Sequence, residues 1–337
     1  MVFCACLAMY FGNSFDSAKL LFATIGVSFA FIKVSVYSMI GLFTHSKEEH
    51  NSFMSSIEGF FMVGIASAYF LFPAFFDTQN HDAWLRVYLL LAGLIALAFL
   101  LLLFSRVDVP IPKNEGSLKD DFTGMIRLIV LPLVLFFVLS AFLFVMVEQG
   151  IMTWLPTFNQ NVLSLNPSLS VQMASILALS LALGRFAAGQ IVKHISWVKL
   201  LTLCLLAAMA IVAFVLPQAL TYHSDPIHSV IDIPLIGYVF PLIGLFISPV
   251  YPLISSATLS ALPQRMHSAM TGMIVIFSAL GGTLGSRIIG MLFEHVGGAQ
   301  AFYFMIVPIT LLIITLWLLD RSINRYEAAH PVEQQAG

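Results

Sequence analysis

Nine long apolar stretches follow one another along this chain, and they leave it one class of fold. A helix needs about 20 apolar residues to cross the hydrocarbon core of a bilayer. Because lipid offers no hydrogen-bond partners, such runs form helices rather than irregular backbone. The sequence therefore predicts an all-α polytopic membrane protein. The stretches are 20–43, 52–76, 84–104, 128–156, 170–192, 199–220, 234–261, 267–293 and 300–319.

The composition excludes a soluble protein. Hydrophobic residues make up 59% of the 337 positions and charged residues 9%, whereas a soluble domain carries about 25% charged residues. Cys4, Cys6 and Cys204 lie in apolar stretches and indicate small core residues rather than disulfides or metal ligands. The amino terminus lacks the pattern of a removable signal peptide.

The loop charges predict an orientation in the membrane. Residues 2–11 are too short to span it and are typical of the trailing half of a helix, which makes about ten spans in all. Loops on the amino-terminal side then carry ten Lys and Arg residues, and the opposite loops carry only Lys19 and Arg86. Since positive charge collects in cytoplasmic loops, we expect a multi-pass protein of the plasma (inner) membrane with both termini in the cytoplasm.

Three motifs in the second part of the chain carry a family resemblance. They are Gly184-Arg185-Phe186 with Gly189, the segment 244–252, and the small-residue run 278–285. In order and spacing they resemble the fucose permease branch of the major facilitator superfamily, the fucose–galactose–glucose:proton symporters. Transporters of this class move solutes by alternating access of two helix bundles around a site near the midplane.

The resemblance implies a major facilitator fold with about ten of an expected twelve spans. Residues 1–105 would form an incomplete amino-terminal bundle, from part of span three through span six. Residues 106–127, with two prolines, a glycine and mixed charge, would form a cytoplasmic linker. Residues 128–321 would form the carboxy-terminal six-helix bundle, and 322–337 a cytoplasmic tail. A different ten-helix architecture is the alternative.

Lys33 and Glu58 depart from the family's pattern. Lys33 stands where the fucose permeases carry a glutamate in their fourth helix, and Glu58 stands near an amide position of their fifth. Charges inside the membrane mark pathways or partner contacts. Counted along their helices, the two residues differ in depth by about 4–5 Å. They form either a cavity pair that binds a polar or anionic solute or exchanges a proton, or a structural ion pair.

A polar cluster ends the stretch 128–156. Glu148 and Gln149 precede Gly150 and Trp154, and glycine and proline there predict a helix that loosens near the outer face. A carboxylate, an amide and an indole could bind a sugar. The alternative is an interfacial belt, in which Trp154 lies at the headgroups and Glu148 reaches water.

Two arginines interrupt other apolar stretches. Arg287 lies close to the depth of Glu148, so it forms either a salt bridge between the seventh and eleventh helices of the family or a clamp on a substrate carboxylate. Arg185 lies within two turns of a cytoplasmic helix end, and the family motif Gly184-Arg185 with Gly189 implies that it extends to the surface and holds a gating loop.

Pro249 and Pro252 flank Tyr251 inside a span. Proline removes intrahelical hydrogen bonds and kinks a helix, which predicts a hinge or a cavity wall where Tyr251 could hydrogen-bond a sugar. A kink needed only for packing is the alternative.

Several other functions lack a sequence signal. The run from His45 to His50 fits no zinc-protease spacing, Gly281, Gly282 and Gly285 indicate helix packing rather than a phosphate loop, and no residues suggest an enzyme or nucleic-acid binding. We therefore expect a monomeric secondary transporter of a small polar, sugar-like solute, without metal or cofactor and coupled to protons through Glu58 or Glu148. The alternatives are an exporter of small organic anions or drug-like compounds, and a non-transporting remnant or sensor subunit.

Overall fold

The described part of the chain is helical and contains nine segments that can span a membrane. In the computed structural model, nine segments of that part are long and apolar enough to span a bilayer, and the predictions of an all-α polytopic fold and of nine long spans are confirmed. The structure describes residues 1–43, 47–77, 79–80, 82–105, 128–192, 194–220, 227, 229–263 and 266–330.

The described residues of the amino-terminal group form four α-helices. The first is short, as predicted for residues 2–11, and the other three are spans. Two 3-10 turns, Pro73–Phe75 and Ala83–Leu85, connect the last two helices. The helices are α1 (Val2–Gly12), α2 (Phe15–Phe43), α3 (Lys47–Leu71) and α4 (Arg86–Phe104).

Among the described residues of the carboxy-terminal group, nine α-helices and the 3-10 turn Phe240–Leu242 form six spans, and a second 3-10 turn, Val230–Asp232, precedes one of them. Successive spans alternate in direction, so the span that ends with α10 and the one that ends with α13 finish at the same face, here named the C-terminal side. The segments are α5 (Pro132–Asn161), α6 (Pro167–Ile191), α7 (Trp197–Leu220), α8 (Leu235–Val239), α9 (Ile243–Ile247), α10 (Val250–Ala261), α11 (His267–Val296), α12 (Gly298–Tyr303) and α13 (Ile306–Ala329).

Proline and asparagine set the starts of the central helices. Pro132 and Pro167 occupy the first turns of α5 and α6, where a missing N–H removes no helical bond. The Asn166 side chain accepts a hydrogen bond from the Leu169 N–H at 2.8 Å and caps α6. These two helices carry two of the charged residues of the site described below.

The span 235–261 is broken, as predicted from its prolines. Helix α9 ends at Ile247, and α10 begins at Val250 after Ser248 and Pro249. Pro249 precedes the first residue of α10 and Pro252 follows inside it. The break is confirmed, whereas a hinge role for Pro249 and Pro252 stays a prediction.

Glycines bring α5 and α11 into close contact. A Cβ atom at Gly281 would overlap the Phe142 carbonyl oxygen, and one at Gly285 would overlap the Met146 carbonyl oxygen. Small residues allow helix backbones to approach in this way inside a membrane. The predicted packing role of the glycine run is confirmed.

We expect Gly285→Ala to lower the free energy of unfolding by about 1–3 kcal/mol, because the added methyl group pushes α11 away from α5. Gly93→Ala in α4 is the matched control, since nothing lies within 4 Å of the added atom. That change should be neutral or stabilising by up to about 1 kcal/mol. Unfolding of both variants in detergent measures the difference, and equal stability would contradict the close packing.

The largest continuous core belongs to the carboxy-terminal group. It takes in residues from α5 to α13 and a few side chains of α2 and α3, whereas a separate small cluster joins α1, α2 and α4. The predicted domain boundaries stay predictions, because the predicted linker 106–127 and the end of the predicted tail, 331–337, lie outside the described residues. So do His45 and several basic loop residues used to predict the orientation: Arg106, Lys113, Lys119, Arg127, Lys193 and Arg265.

Candidate functional site

Four charged side chains form one connected network between the two groups of helices. Arg185 donates from Nη1 to Glu58 Oε2 and from Nη2 to Glu148 Oε1, both at 2.8 Å. Its Nη1 also reaches the Glu58 carbonyl oxygen at 3.2 Å. The Lys33 ammonium lies 3.7 Å from Glu58 Oε1. We call Lys33, Glu58, Arg185 and Glu148 the ion-pair network.

The network is buried and electrically balanced. Arg185 is 1% exposed, and Glu58 and Glu148 are each 5% exposed, while the Lys33 side chain is 16% exposed. Two cations face two carboxylates, so the formal charges sum to zero. Buried charges require such pairing, because a lone ion away from water is destabilising by an amount on the order of several kcal/mol.

Each group of helices supplies one cation and one carboxylate. Lys33 on α2 and Glu58 on α3 belong to the amino-terminal group, and Glu148 on α5 and Arg185 on α6 belong to the carboxy-terminal group. The Arg185–Glu58 contact therefore bridges the groups. The Lys33–Glu58 and Arg185–Glu148 contacts each lie within one group.

Glycines beside the charges let the helices approach. A Cβ atom at Gly59 would overlap the ring of Phe186, and one at Gly184 would overlap Ser248 Oγ and the Leu245 carbonyl oxygen. Each glycine adjoins a charged residue, Glu58 or Arg185. A larger side chain at either position would separate α3, α6 and α9 and lengthen the bridging contact.

Tyr251 extends the network toward α10. Its ring centroid lies 4.7 Å from the Lys33 ammonium, a distance typical of a cation–π contact. The same ring packs 5.9 Å from that of Phe144. Sequence analysis placed Lys33, Glu58, Glu148 and Tyr251 among the binding candidates, and the structure brings all of them to one place.

The expectation that Arg185 extends to the surface is wrong. Arg185 lies about six residues before the end of α6, as predicted, but its side chain turns inward and connects two carboxylates. A signal for this existed in the sequence: Glu58 and Glu148 are two acids inside apolar stretches, and Lys33 alone cannot balance both. Gly189, the third residue of that motif, has nothing within 4 Å of a built Cβ atom, so no close helix contact requires it.

Of the two alternatives for Arg287, a salt bridge with Glu148 is wrong. Glu148 pairs with Arg185 instead, and Arg287 is exposed on α11. Within the described residues, Arg287 takes part in no ion pair. A role as a substrate clamp stays a prediction.

Trp154 and Gln149 face α11 rather than the network. The Trp154 indole donates to the Ser286 carbonyl oxygen at 2.7 Å, and its ring stacks on Phe293 at 5.3 Å. The Gln149 side-chain carbons lie beside Gly282. Burial of Glu148 excludes the alternative in which it reaches water at the membrane surface, while sugar binding by Gln149 or Trp154 stays a prediction.

The described residues hold no group of three or more His, Cys, Asp or Glu side chains that could bind a metal ion.

Comparison with known proteins places the fold. The family profile described as Major Facilitator Superfamily matches residues 1–286. Among solved structures, the chain is similar to a single-residue variant of the E. coli fucose:proton symporter FucP, with a TM-score of 0.63 and 15% identity over 86% of this chain and 73% of that one. A structure of FucP in the outward conformation gives a TM-score of 0.62 and 15% identity over 85% and 72% of the two chains.

At such low identity the structural likeness concerns the fold alone. Comparison with curated protein sequences gives no match. The family profile covers well over half of the chain, and the helices of the described part superpose on a transporter of the same class. The chain is thus a multi-pass membrane protein that belongs to the major facilitator superfamily.

Proposed function

We propose that this protein is a proton-coupled secondary transporter of a small polar solute, a sugar or sugar-like molecule, in which the ion-pair network closes one side of the pathway. The observation that carries the proposal is the buried Arg185–Glu58 contact between the two groups of helices. A transporter that alternates between two open states needs contacts between its bundles that can break and reform.

The arrangement of charges suits repeated breaking. When the two groups separate, the Arg185–Glu58 contact is lost, but each group keeps an internal pair of opposite charges. Neither group is then left with an uncompensated charge, which would be the main penalty of breaking a buried ion pair. Opening therefore requires the loss of one charge-assisted contact rather than the collapse of the whole network.

A proton can act on that same contact. Protonation of Glu58 removes its negative charge and weakens its hold on Arg185, which favours separation of the groups. Release of the proton to the other side restores the contact. Glu148 is the second candidate for this role, but its pairing within one group links it less directly to opening.

The charge balance favours a neutral solute at this site. Two cations and two carboxylates leave no net charge to attract an anion, whereas the hydroxyl group of Tyr251, which lies beside the network, can bind the hydroxyl groups of a sugar. The exposed Arg287 is the observation that favours the alternative, export of small organic anions, since a guanidinium binds carboxylates in bidentate fashion. We place the protein in the plasma (inner) membrane with both termini in the cytoplasm.

Uptake by proteoliposomes under an imposed proton gradient tests the function. We expect uptake of one or more neutral sugars, and we expect Arg287→Ala to change that uptake by no more than about twofold, because an exposed charge contributes little to a neutral ligand. The panel includes small organic anions. Glu294→Gln is the control for effects of charge removal at the exposed face of α11.

Each alternative has its own outcome. Uptake of anions that Arg287→Ala abolishes would establish the anion transporter and overturn the sugar proposal. Folded protein that transports neither class, with or without the gradient, would overturn transport and support a sensor or a non-transporting remnant.

A further inference from the structure

A row of hydroxyl groups follows one face of the broken span. Ser248, Tyr251, Ser255 and Thr258 recur at intervals of three and four residues, the spacing that places side chains on one face of a helix. All four are almost completely buried, with exposures of 0–2%. We call these four residues the hydroxyl stripe.

Three of the stripe hydroxyls differ from several other helical hydroxyls of the described residues. Serine and threonine in helices usually donate to the carbonyl four residues earlier, as Thr202, Thr283 and Thr310 do here at 2.7–2.8 Å. The hydroxyls of Ser248, Ser255 and Thr258 have no hydrogen-bond partner within the described residues. Buried polar groups are nearly always satisfied, by protein or by water, so these three hydroxyls are available to form hydrogen bonds with water.

The stripe connects the ion-pair network with the C-terminal side. Ser248 lies against Gly184, the neighbour of Arg185, and Tyr251 contacts Lys33. Thr258 lies three residues before the end of α10 at Ala261. The Arg185 Nε atom, at the network end, is also buried and has no hydrogen-bond partner among the described residues. At 1.5 Å per residue the stripe spans about 15 Å and stops about 5 Å short of the helix end.

We propose that the hydroxyl stripe lines a path for water and protons between the ion-pair network and the C-terminal side. The path is closed in this conformation, where the hydroxyls are inaccessible, and fills with water when the two groups of helices separate. Hydroxyl groups suit this role because each both donates and accepts a hydrogen bond, so that a proton that leaves Glu58 passes to water and leaves at the C-terminal side. The proposal rests on the proposed function and names its proton route.

Cysteine labelling tests the path without any assay of transport. Cys4, Cys6 and Cys204 are first replaced by alanine, and Ser255→Cys is compared with Leu253→Cys on the opposite face of α10. Both positions are buried and at nearly the same depth. A membrane-impermeant thiol reagent is applied at the C-terminal side, with and without Glu58→Gln, which removes the carboxylate of the bridging contact.

We expect Glu58→Gln to speed the reaction of Ser255→Cys about tenfold or more, since loss of the bridging contact shifts the opening equilibrium by about that factor. The reaction of Leu253→Cys, on the opposite face, should change little. Equal rates at the two positions in both backgrounds would overturn the path. Because labelling requires no substrate, this outcome is separate from a failure to transport, which would concern the proposed function alone.

A second measurement tests whether the hydroxyl stripe conducts protons or is only exposed to water. Proton uptake into proteoliposomes, followed with a trapped pH indicator, is compared for Thr258→Val and Thr310→Val, which remove one hydroxyl each. We expect Thr258→Val to slow proton uptake about tenfold by leaving a gap in the row, and Thr310→Val to have little effect. Fast labelling at position 255 with unchanged proton uptake in Thr258→Val would overturn the proton role.

Discussion

Arg185→Leu should destabilise the protein by about 3–5 kcal/mol and abolish transport, because breaking a buried ion pair leaves uncompensated charge behind. Arg185 contacts both Glu58 and Glu148 at 2.8 Å, and after its loss Lys33 alone balances two buried carboxylates. Arg287→Leu is the matched control, since Arg287 is exposed. Unfolding in detergent together with uptake by proteoliposomes measures both effects.

A rescue experiment identifies the cause of that loss. Adding Glu148→Gln to Arg185→Leu removes one of the two carboxylates and leaves Lys33 paired with Glu58. Because neutral replacement of a buried pair is often tolerated, the double variant should regain most of the stability but not transport. If the single variant Arg185→Leu is as stable as the control Arg287→Leu, the stabilising role of the ion-pair network is contradicted.

Glu58→Gln should shift the protein toward the state that is open at the C-terminal side. A hydrogen bond to a charged group contributes about 1.5–3 kcal/mol, which corresponds to a change of about 10- to 150-fold in the opening equilibrium. We expect the variant to exchange solute across the membrane but to lose accumulation driven by protons, because the group that couples protonation to opening is gone. Distances between spin labels on α3 and α6 measure the opening.

Glu148→Gln is the matched control for this prediction. It makes the same chemical change in the same network, but Glu148 pairs with Arg185 inside one group of helices. Its loss should lower stability and leave the distance between the groups unchanged. Identical shifts in both variants would show that the location of the pair, within or between groups, has no influence on opening.

The nine spans and the contact between Lys33 and Glu58 could be predicted from the sequence. Nine spans follow from hydropathy because the thickness of lipid fixes the length of an apolar helix. The Lys33–Glu58 contact follows from depth alone, since α2 and α3 are consecutive and antiparallel. Depth in the membrane also suggested Arg287 as the partner of Glu148, and that prediction is wrong.

The failure of the Arg287 prediction has a geometric reason. Gly281, Gly285 and Ile289 recur every four residues along the face of α11 that meets α5. Arg287 is two residues from both Gly285 and Ile289, and at 3.6 residues per turn this points its side chain to the opposite face. Helical periodicity would have excluded a pair between Arg287 and Glu148. The inward orientation of Arg185, in contrast, depends on how three helices pack, and the sequence of one helix does not determine this.

The sequence separation inside the ion-pair network has a consequence for synthesis. Arg185 follows Glu58 by 127 positions, and at about 5–20 residues per second the ribosome needs about 6–25 s to make that interval. During this time Lys33 is the cation of the network that has already been made and can pair with Glu58. Lys33 is made before Glu58, so the two residues can enter the membrane as a neutral pair. We therefore expect membrane insertion of the amino-terminal helices to require Lys33 during synthesis, before Arg185 has been made.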